Sequence, residues 1–227
     1  IKTLCLPDSI LEPGVGEAIT LSGVIQNLQH PDLKSFGFDV SWSRVLLARQ
    51  WLADQGIVDS TLNTGSLFAL PYSSDSIDVV YTSHSMEPNG GHEEPILREL
   101  FRVTRRYLLL IEPAYELAPE DSRKRMEANG YCQDLPGVAQ RLGYKVLDHR
   151  LFPHTPNPLN PTALTIIEKN SANPHPGHFL ACPRYQTRLE ERNGHMYSEE
   201  ALMAYPILLG IPCLRPENGI IASLFPQ

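Results

Sequence analysis

Residues 8–40 read DSILEPGVGEAITLSGVIQNLQHPDLKSFGFDV, and this stretch decides the fold. Residues 8–12 have the pattern of a short strand that runs into a turn with two glycines at 13–16. Residues 18–28 then repeat apolar side chains at helical spacing, and residues 33–40 return to a strand pattern. A strand, a crossover helix and a second strand normally place the two strands parallel in one sheet. The sequence therefore predicts a parallel sheet covered by helices.

The same alternation continues to about residue 169. Further strand patterns fall at 61–67, 77–82, 107–112, 145–152 and 163–168, and helix patterns at 41–55, 94–104, 121–128 and 135–142. Repeats of this kind predict an α/β fold with a doubly wound, mostly parallel sheet. The last two strand patterns have no helix between them, which favours antiparallel pairing there.

The C-terminal part of the chain has a different composition. Residues 170–177, NSANPHPG, are typical of a linker, and no strand–helix alternation follows them. The sequence therefore predicts a main domain over residues 1–169 and a small α+β module over residues 178–227. Because 50 residues without a metal are marginally stable alone, we expect this module to pack on the main domain or on a second copy of the chain.

The glycine turn and the acid that follows it indicate a nucleotide-like ligand. Gly14 and Gly16 leave bare backbone where a strand gives way to a helix, which permits close approach of a ligand. Asp39 lies at the end of the second strand pattern, at a spacing where doubly wound folds place a ribose-binding acid. A helix-capping role for Asp39 is the alternative, since Ser41 and Ser43 follow it at the start of a helix.

Composition limits the classes of partner. The chain has 227 residues and a formal net charge of −7, which disfavours a general nucleic-acid binder. No apolar run approaches the ~20 residues of a membrane span. Residues 1–4 are not followed by the apolar segment and cleavage site of a signal peptide. The four cysteines are widely spaced, without a CxxC pair. These features predict reduced thiols and a cytoplasmic setting.

Several motifs in order resemble class I S-adenosylmethionine-dependent methyltransferases. The family's E/D-x-G-x-G-x-G motif matches at Glu12, Gly14 and Gly16, and its acid after the second strand matches Asp39. Its LPF…SFDVV stretch is similar to residues 70–80, LPYSSDSIDVV. The segments ILRELFRV at 96–103 and LLLIEP at 108–113 also match. The resemblance covers residues 8–169 and implies the Rossmann-like methyltransferase fold with S-adenosylmethionine as cofactor.

Two positions depart from the family pattern. Ala18 stands at the third glycine, and Ser66 stands where the family has an aspartate that reaches the adenine amino group. The residues that the resemblance assigns to the cofactor are Glu12, Gly14, Gly16, Asp39, Val40, Ser66, Leu67, Ser83 and His84.

Methyl transfer needs alignment of donor and acceptor, and a general base only where the acceptor loses a proton. His84, after the fourth strand, is the expected base, and a cofactor-lining or loop-stabilising role is its alternative. Glu87, Glu112, Tyr115 and His154 are further candidates that follow strands or lie in a loop.

Residues 178–227 are similar to a small zinc-ribbon-like module sometimes attached to methyltransferases. Cys182 matches one ligand position of that module, but Tyr185, Ser198 and Ala201 stand at the other three. Because tetrahedral zinc needs about four Cys or His ligands, the resemblance implies a degenerate, metal-free module. The expected core residues are Tyr185, Tyr197, Leu202, Tyr205, Ile207 and Ile211.

The resemblance implies methyl transfer from S-adenosylmethionine to a small-molecule acceptor, with a homodimer through the C-terminal module as a possible assembly. The first alternative is a catalytically silent protein of the same fold that serves as a binding or scaffold partner. A nicotinamide-dependent oxidoreductase is the second alternative. It is disfavoured because residues 14–19, GVGEAI, lack the last glycine of G-x-G-x-x-G.

Overall fold

The computed structural model describes residues 1–153 and 157–224, and its centre is one seven-stranded sheet. The strands are β1 (Ser9–Pro13), β2 (Lys34–Asp39), β3 (Thr61–Thr64), β4 (Ile77–Ser83), β5 (Thr104–Pro113), β6 (Lys145–Leu151) and β7 (Thr162–Glu168). Their order is β3-β2-β1-β4-β5-β7-β6. β1 to β5 pair in parallel, and β7 runs antiparallel to β5 and β6. The predicted doubly wound sheet and the antiparallel late strands are confirmed.

Helices cover both faces of this sheet. They are α1 (Ile19–Leu28), α2 (Trp42–Asp54), α3 (Glu93–Val103), α4 (Glu120–Ala128) and α5 (Leu135–Arg141). α1 and α2 pack on one face and α3 and α5 on the other, each within its own apolar cluster. Among the described residues, no helix has the length and apolar character needed to cross a bilayer.

β5 has a continuous run of apolar residues because helices cover both faces of the sheet. Leu108 and Leu110 contribute to the cluster under α3, whereas Leu109 contributes to the cluster under α1 and α2. Successive side chains of a strand point to opposite faces, so a strand buried on both faces shows continuous rather than alternating apolar residues.

The C-terminal part forms a second, smaller sheet. Its strands are β8 (Glu190–Arg192), β9 (His195–Ser198), β10 (Met203–Leu208), β11 (Ile211–Pro212) and β12 (Ile220–Ile221). The expected α+β character is wrong: within residues 178–224 the structure has these strands and a 3₁₀ turn at Pro216–Asn218, but no α-helix. Left-handed pairs such as Asn193 and Gly194 build tight hairpin turns, which leave short strands instead of a helix.

This small sheet docks on the β3 edge of the main sheet. The Leu214 amide donates to the Thr64 carbonyl at 3.2 Å, and Cys213 bridges Thr64 in parallel. The Arg49 guanidinium of α2 donates to the Leu209 carbonyl at 2.6 Å. The Ser73 amide also donates to the Phe179 carbonyl at 2.7 Å. The expectation that this segment packs on the main domain is therefore confirmed.

The core of the small sheet differs from the expected one. Tyr205 and Tyr197 are buried as predicted, but Tyr185 is 61% exposed and Leu202 is 40% exposed. Ile211 is buried in the apolar cluster of α1 and α2 and not in the core of the small sheet. Ile207 is partly buried against the core, whose buried members are Cys182, Leu189, Met196, Met203, Tyr205 and Leu214.

We expect Leu214→Ala to destabilise the protein by roughly 2–4 kcal/mol, because it opens a cavity in a fully buried site that also contacts the β3 edge. Urea denaturation followed by circular dichroism measures the change. Leu224→Ala is the matched control, since Leu224 is 95% exposed and its truncation removes little buried area. Equal stabilities of the two variants would contradict the packing described here.

Candidate functional site

The sequence-predicted cofactor residues gather at one edge of the main sheet. β1, β2, β3 and β4 end at Pro13, Asp39, Thr64 and Ser83, and parallel pairing places these ends side by side. The carboxyl edge of such a sheet is where open α/β folds bind ligands. All of the predicted cofactor positions lie at these strand ends or in the connections that follow them.

The turn after β1 needs its glycines. Gly14 has a φ of +71° and Gly16 a φ of +55°, both in the left-handed region. A Cβ on Gly14 would lie 2.3 Å from the Cβ of Ser85, so only glycine fits against the loop after β4. Ala18, at the third glycine of the family pattern, also adopts a left-handed conformation with a φ of +61°. That conformation costs a non-glycine residue roughly 1–2 kcal/mol.

Asp39 joins the glycine turn to the start of α2. Its Oδ2 accepts the Gly16 amide at 3.2 Å, and its Oδ1 accepts the Ser41 amide at 2.9 Å. The N-cap of α2 is Ser41, whose hydroxyl accepts the Arg44 amide, so Asp39 orients the cap residue and does not cap the helix itself. A carboxylate offers about four acceptor positions, so about two remain for ligand hydroxyls.

Glu12 lies beneath the turn rather than on its open side. It is 2% exposed, and the Tyr81 hydroxyl donates to its Oε2 at 3.0 Å. Burial raises the pKa of Glu12 to about 8, although hydrogen bonds from Tyr81 and the Leu21 amide oppose the shift. At neutral pH this carboxyl is therefore mostly uncharged.

The predicted adenine side lies between the ends of β2 and β3. Val40 is 56% exposed, while Ser66 and Leu67 are partly buried. The Ser66 hydroxyl accepts the Phe68 amide at 3.2 Å and keeps its own proton available as a donor.

His84 forms a dyad with Glu87 in the loop after β4. Its Nδ1 lies 2.5 Å from the Glu87 Oε2, and its Nε2 lies 3.1 Å from the Thr162 hydroxyl. The hydrogen bond to Glu87 raises the pKa of His84, while burial opposes the rise and the nearby Glu112 adds to it. His84 itself has a φ of +54°, so the backbone of this loop is held in a sparsely populated conformation.

The environment of Glu87 fixes the orientation of this dyad. Burial alone would raise the pKa of Glu87, but hydrogen bonds from His84, Tyr131 and Asn160 lower it. An ionised carboxylate only accepts hydrogen bonds, so the proton of a neutral His84 lies on Nδ1. Nε2 is then the basic nitrogen.

Glu112 holds the loop that carries the dyad. Its carboxyl oxygens accept the amides of Ser85, Met86 and Glu87 at 3.1–3.2 Å. Burial raises the pKa of Glu112 to about 7, opposed by Thr82, by the Met86 and Ser85 amides and by the charge of His84. Glu112 therefore positions the loop, rather than facing open space.

The loop is also attached to the segment after α4. The Cys132 amide donates to the Glu87 carbonyl at 2.9 Å, and the Gly90 amide donates to the Gly130 carbonyl at 3.0 Å. Tyr115, a further candidate, bonds Glu127 instead of the dyad. His154 lies outside the described residues. Sequence reasoning missed the contact of Thr162 with the dyad, since no motif marks that position.

No metal site emerges from residues 1–153 and 157–224, where no group of three or more His, Cys, Asp or Glu side chains is placed to hold an ion. The four cysteines are free and buried, and the Cys182 thiol lies 3.3 Å from the Tyr205 hydroxyl. The structure gives the zinc-ribbon resemblance no further support.

Glu12→Gln should remove part of the pH dependence of stability. The folded pKa of about 8 exceeds the usual 4.5, so wild-type stability falls as pH rises from about 4.5 to about 8. Glutamine stays neutral, so the stability difference between variant and wild type should shift in favour of the variant by roughly 4 kcal/mol between pH 5 and pH 9. Urea denaturation at both pH values measures this. Glu17→Gln, an exposed acid of the same turn, serves as the control and should show no such shift.

Gly14→Ala should destabilise the fold by roughly 2–4 kcal/mol, from left-handed strain and overlap with Ser85. Gly56→Ala is matched to it, because Gly56 has a φ of +75° but open space around its added Cβ. This control should cost only about 1–2 kcal/mol. Thermal unfolding of both variants compares them, and equal losses would argue against close packing of Ser85 on the turn.

Comparison with known proteins bears on the fold. No protein-family model matches the chain, and no curated protein matches its sequence. An S-adenosylmethionine-dependent methyltransferase from Aquifex aeolicus has a TM-score of 0.58 at 15% identity, over 74% of this chain and 86% of that one. Geranyl diphosphate methyltransferase in complex with S-adenosylmethionine has a TM-score of 0.57 at 8% identity, over 72% and 78%.

A chain from a Haloferax volcanii complex that contains the methyltransferase activator Trm112 has a TM-score of 0.56 at 17% identity, over 71% of this chain and 82% of that one. At such identities the likeness concerns architecture alone. This chain has the Rossmann-like fold of the S-adenosylmethionine-dependent methyltransferases.

Proposed function

We propose that this protein binds S-adenosylmethionine at the carboxyl edge of its main sheet and transfers the methyl group to a small-molecule acceptor. The observation that carries the proposal is the contact between Gly16 and Asp39. It joins a turn with two glycines to a carboxylate at the carboxyl ends of β1 and β2, the edge where open α/β sheets bind ligands.

The backbone and the side-chain hydroxyls at this edge of the sheet fit S-adenosylmethionine. The backbone at Gly16 is open to close approach, because an added Cβ there would meet only the Arg44 guanidinium, at 3.9 Å. Two hydroxyls at the same edge, on Thr64 and Ser85, are buried without a hydrogen-bond partner in the described structure. Buried polar groups normally have partners, so these hydroxyls are suited to polar groups of a bound ligand.

Different residues contact each part of the cofactor. Gly14 and Gly16 hold the methionine end through backbone groups, with neutral Glu12 supporting the turn from below. Asp39 accepts the ribose hydroxyls. Adenine lies between Val40 on one side and Ser66 and Leu67 on the other. Ser83 and His84 line the side of the site where the methyl group is transferred.

When bound, S-adenosylmethionine supplies a methyl group that is already activated as a sulfonium. The protein's task is then to hold donor and acceptor in line and to exclude water. Where the acceptor must lose a proton, Nε2 of His84 takes it, and the Glu87 carboxylate stabilises the resulting imidazolium. Because the pKa of His84 is raised, this base becomes available as pH rises through that pKa.

The C-terminal module supports the cofactor site in this proposal. Its contacts reach Thr64, next to the adenine side, and Arg49 and Trp42 of α2, which follows Asp39. In the Haloferax volcanii complex the activator is named as a component separate from the methyltransferase. Here residues 178–224 contact the main domain within one chain. The domain division, the homodimer and the cytoplasmic setting stay predictions.

The alternative is a catalytically silent protein of the same fold. Ser66 favours it, because a hydroxyl is a weaker partner for adenine than the family's aspartate. The strained Ala18 also favours it. Isothermal titration of the full chain with S-adenosylmethionine and S-adenosylhomocysteine separates the two functions. Absence of binding by the folded protein would support the silent alternative.

Asp39→Ala should weaken S-adenosylmethionine binding by about 5- to 150-fold, or roughly 1–3 kcal/mol, since it removes the ribose acceptor. Ser41→Ala is the matched control, because Ser41 caps α2 from the adjacent stretch through the Arg44 amide. This control disturbs the same helix end without removing the ribose acceptor. If both variants bind as wild type does, Asp39 only holds the Gly16 turn and the cap residue Ser41 in place.

A further inference from the structure

A second cavity, of about 700 Å³, lies at the opposite edge of the main sheet. It is lined by Lys34 at the start of β2, Arg105 and Arg106 near the start of β5, and His175 and Phe179 of the segment after β7. A volume of several hundred Å³ is typical of sites for small ligands. The proposed cofactor function leaves this cavity without a role.

None of the three cations of this cavity is ion-paired within the part of the chain that the structure describes. Within residues 1–153 and 157–224, no carboxylate lies within 4.0 Å of the charged groups of Lys34, Arg105 or Arg106. Lys34 is held 5.2 Å above the Phe179 ring, and Arg106 donates to the Leu6 carbonyl at 3.3 Å. In a chain with net charge −7, three unpaired cations around one cavity are unexpected. Asp8, Asp32 and Asp78 line the same cavity, but no ion pair joins them to these cations, so the basic groups keep their donors available to a bound anion.

Three acids line the cavity as well, so the formal charge of its lining sums to zero. The Asp78 Oδ2 accepts the Asp8 amide at 2.8 Å, and Asp78 is 8% exposed. The Asp8 carboxylate lies 3.7 Å from the His30 imidazole. Asp32 is exposed at the rim. These acids disfavour an extended polyanion, whereas a compact anion needs to contact only the basic groups.

We propose that this cavity binds a small phosphate-bearing molecule. Arginine guanidinium groups match phosphate oxygens in a forked, bidentate geometry, and Lys34 adds a point charge. His175 is fixed as part of the wall, because its Nε2 contacts the Ser76 carbonyl at 3.0 Å and its Nδ1 accepts the Gly177 amide. The neighbouring Phe179 ring adds apolar surface for the organic part of a phosphate ester.

Isothermal titration of the full chain with inorganic phosphate and with phenyl phosphate tests this site, with sodium chloride at matched ionic strength as the blank. The test variant is Arg105→Gln. No described residue contacts the Arg105 side chain by a hydrogen bond or an ion pair, so its unfolding free energy should be unchanged. Binding should weaken at least about tenfold, the effect of one lost charge-assisted contact. Arg98→Gln, an exposed arginine paired with Glu94 on α3, should bind as wild type does.

The two probes distinguish the source of the phosphate group. Tighter binding of phenyl phosphate indicates an ester, and equal binding indicates free phosphate; either result supports the site. The proposal is overturned if neither probe binds at millimolar concentration, or if Arg105→Gln and Arg98→Gln bind equally. It is also overturned if an oligonucleotide binds where both small probes fail. Should Arg105→Gln fold poorly, Lys34→Gln, a change at an exposed residue, replaces it with the same expected loss.

Discussion

The hydrogen bond from the Gly16 amide to Asp39 joins the turn after the first strand to the end of the second. The rest of the carboxyl edge depends on this contact, because it holds two adjacent strand ends at a fixed separation. Gly14 of the same turn then packs on Ser85, whose amide is bound by Glu112 at the end of β5. A continuous series of contacts thus connects the carboxyl ends of β1, β2, β4 and β5.

The acids of this region differ in charge state because their surroundings differ. Glu12 and Glu112 are buried, so their pKa values are raised to about 8 and about 7. Glu87 is less buried and receives several hydrogen bonds, so its pKa is lowered. The negative charge therefore lies beside His84, where an imidazolium can use it, and is reduced beneath the glycine turn.

Much of the fold follows from the sequence, because each strand or helix shows its period over several residues. The two faces of β5, for example, are both buried, and residues 107–111 are accordingly apolar or aromatic without alternation. Side-chain partners were harder to predict, since they depend on contacts between distant segments. Tyr81 is 69 positions from Glu12, and Thr162 is 78 positions from His84. Local patterns placed Glu12 and His84 at the strand ends but did not indicate these partners.

The C-terminal module shows the same limit on a smaller scale. Leu202 is apolar and lies in a region rich in core residues, yet its φ of +54° belongs to a turn and its side chain is partly exposed. The pattern of apolar residues predicts that the module has a hydrophobic core. Which residues are buried in it depends on the geometry of the hairpin turns.

The pairing of Cys213 and Leu214 with Thr64 also affects how the protein meets other copies of itself. An uncovered edge strand is a template for strand addition and aggregation. At the carboxyl end of β3, the chain's own residues Cys213 and Leu214 occupy part of this template. At the other end of the sheet, β6 carries the charged residues Lys145, Asp148 and Arg150, which disfavour such addition. Loss of residues 178–224 would therefore expose the end of an aggregation-prone edge strand. It would also remove the contacts at Thr64, next to the proposed cofactor site.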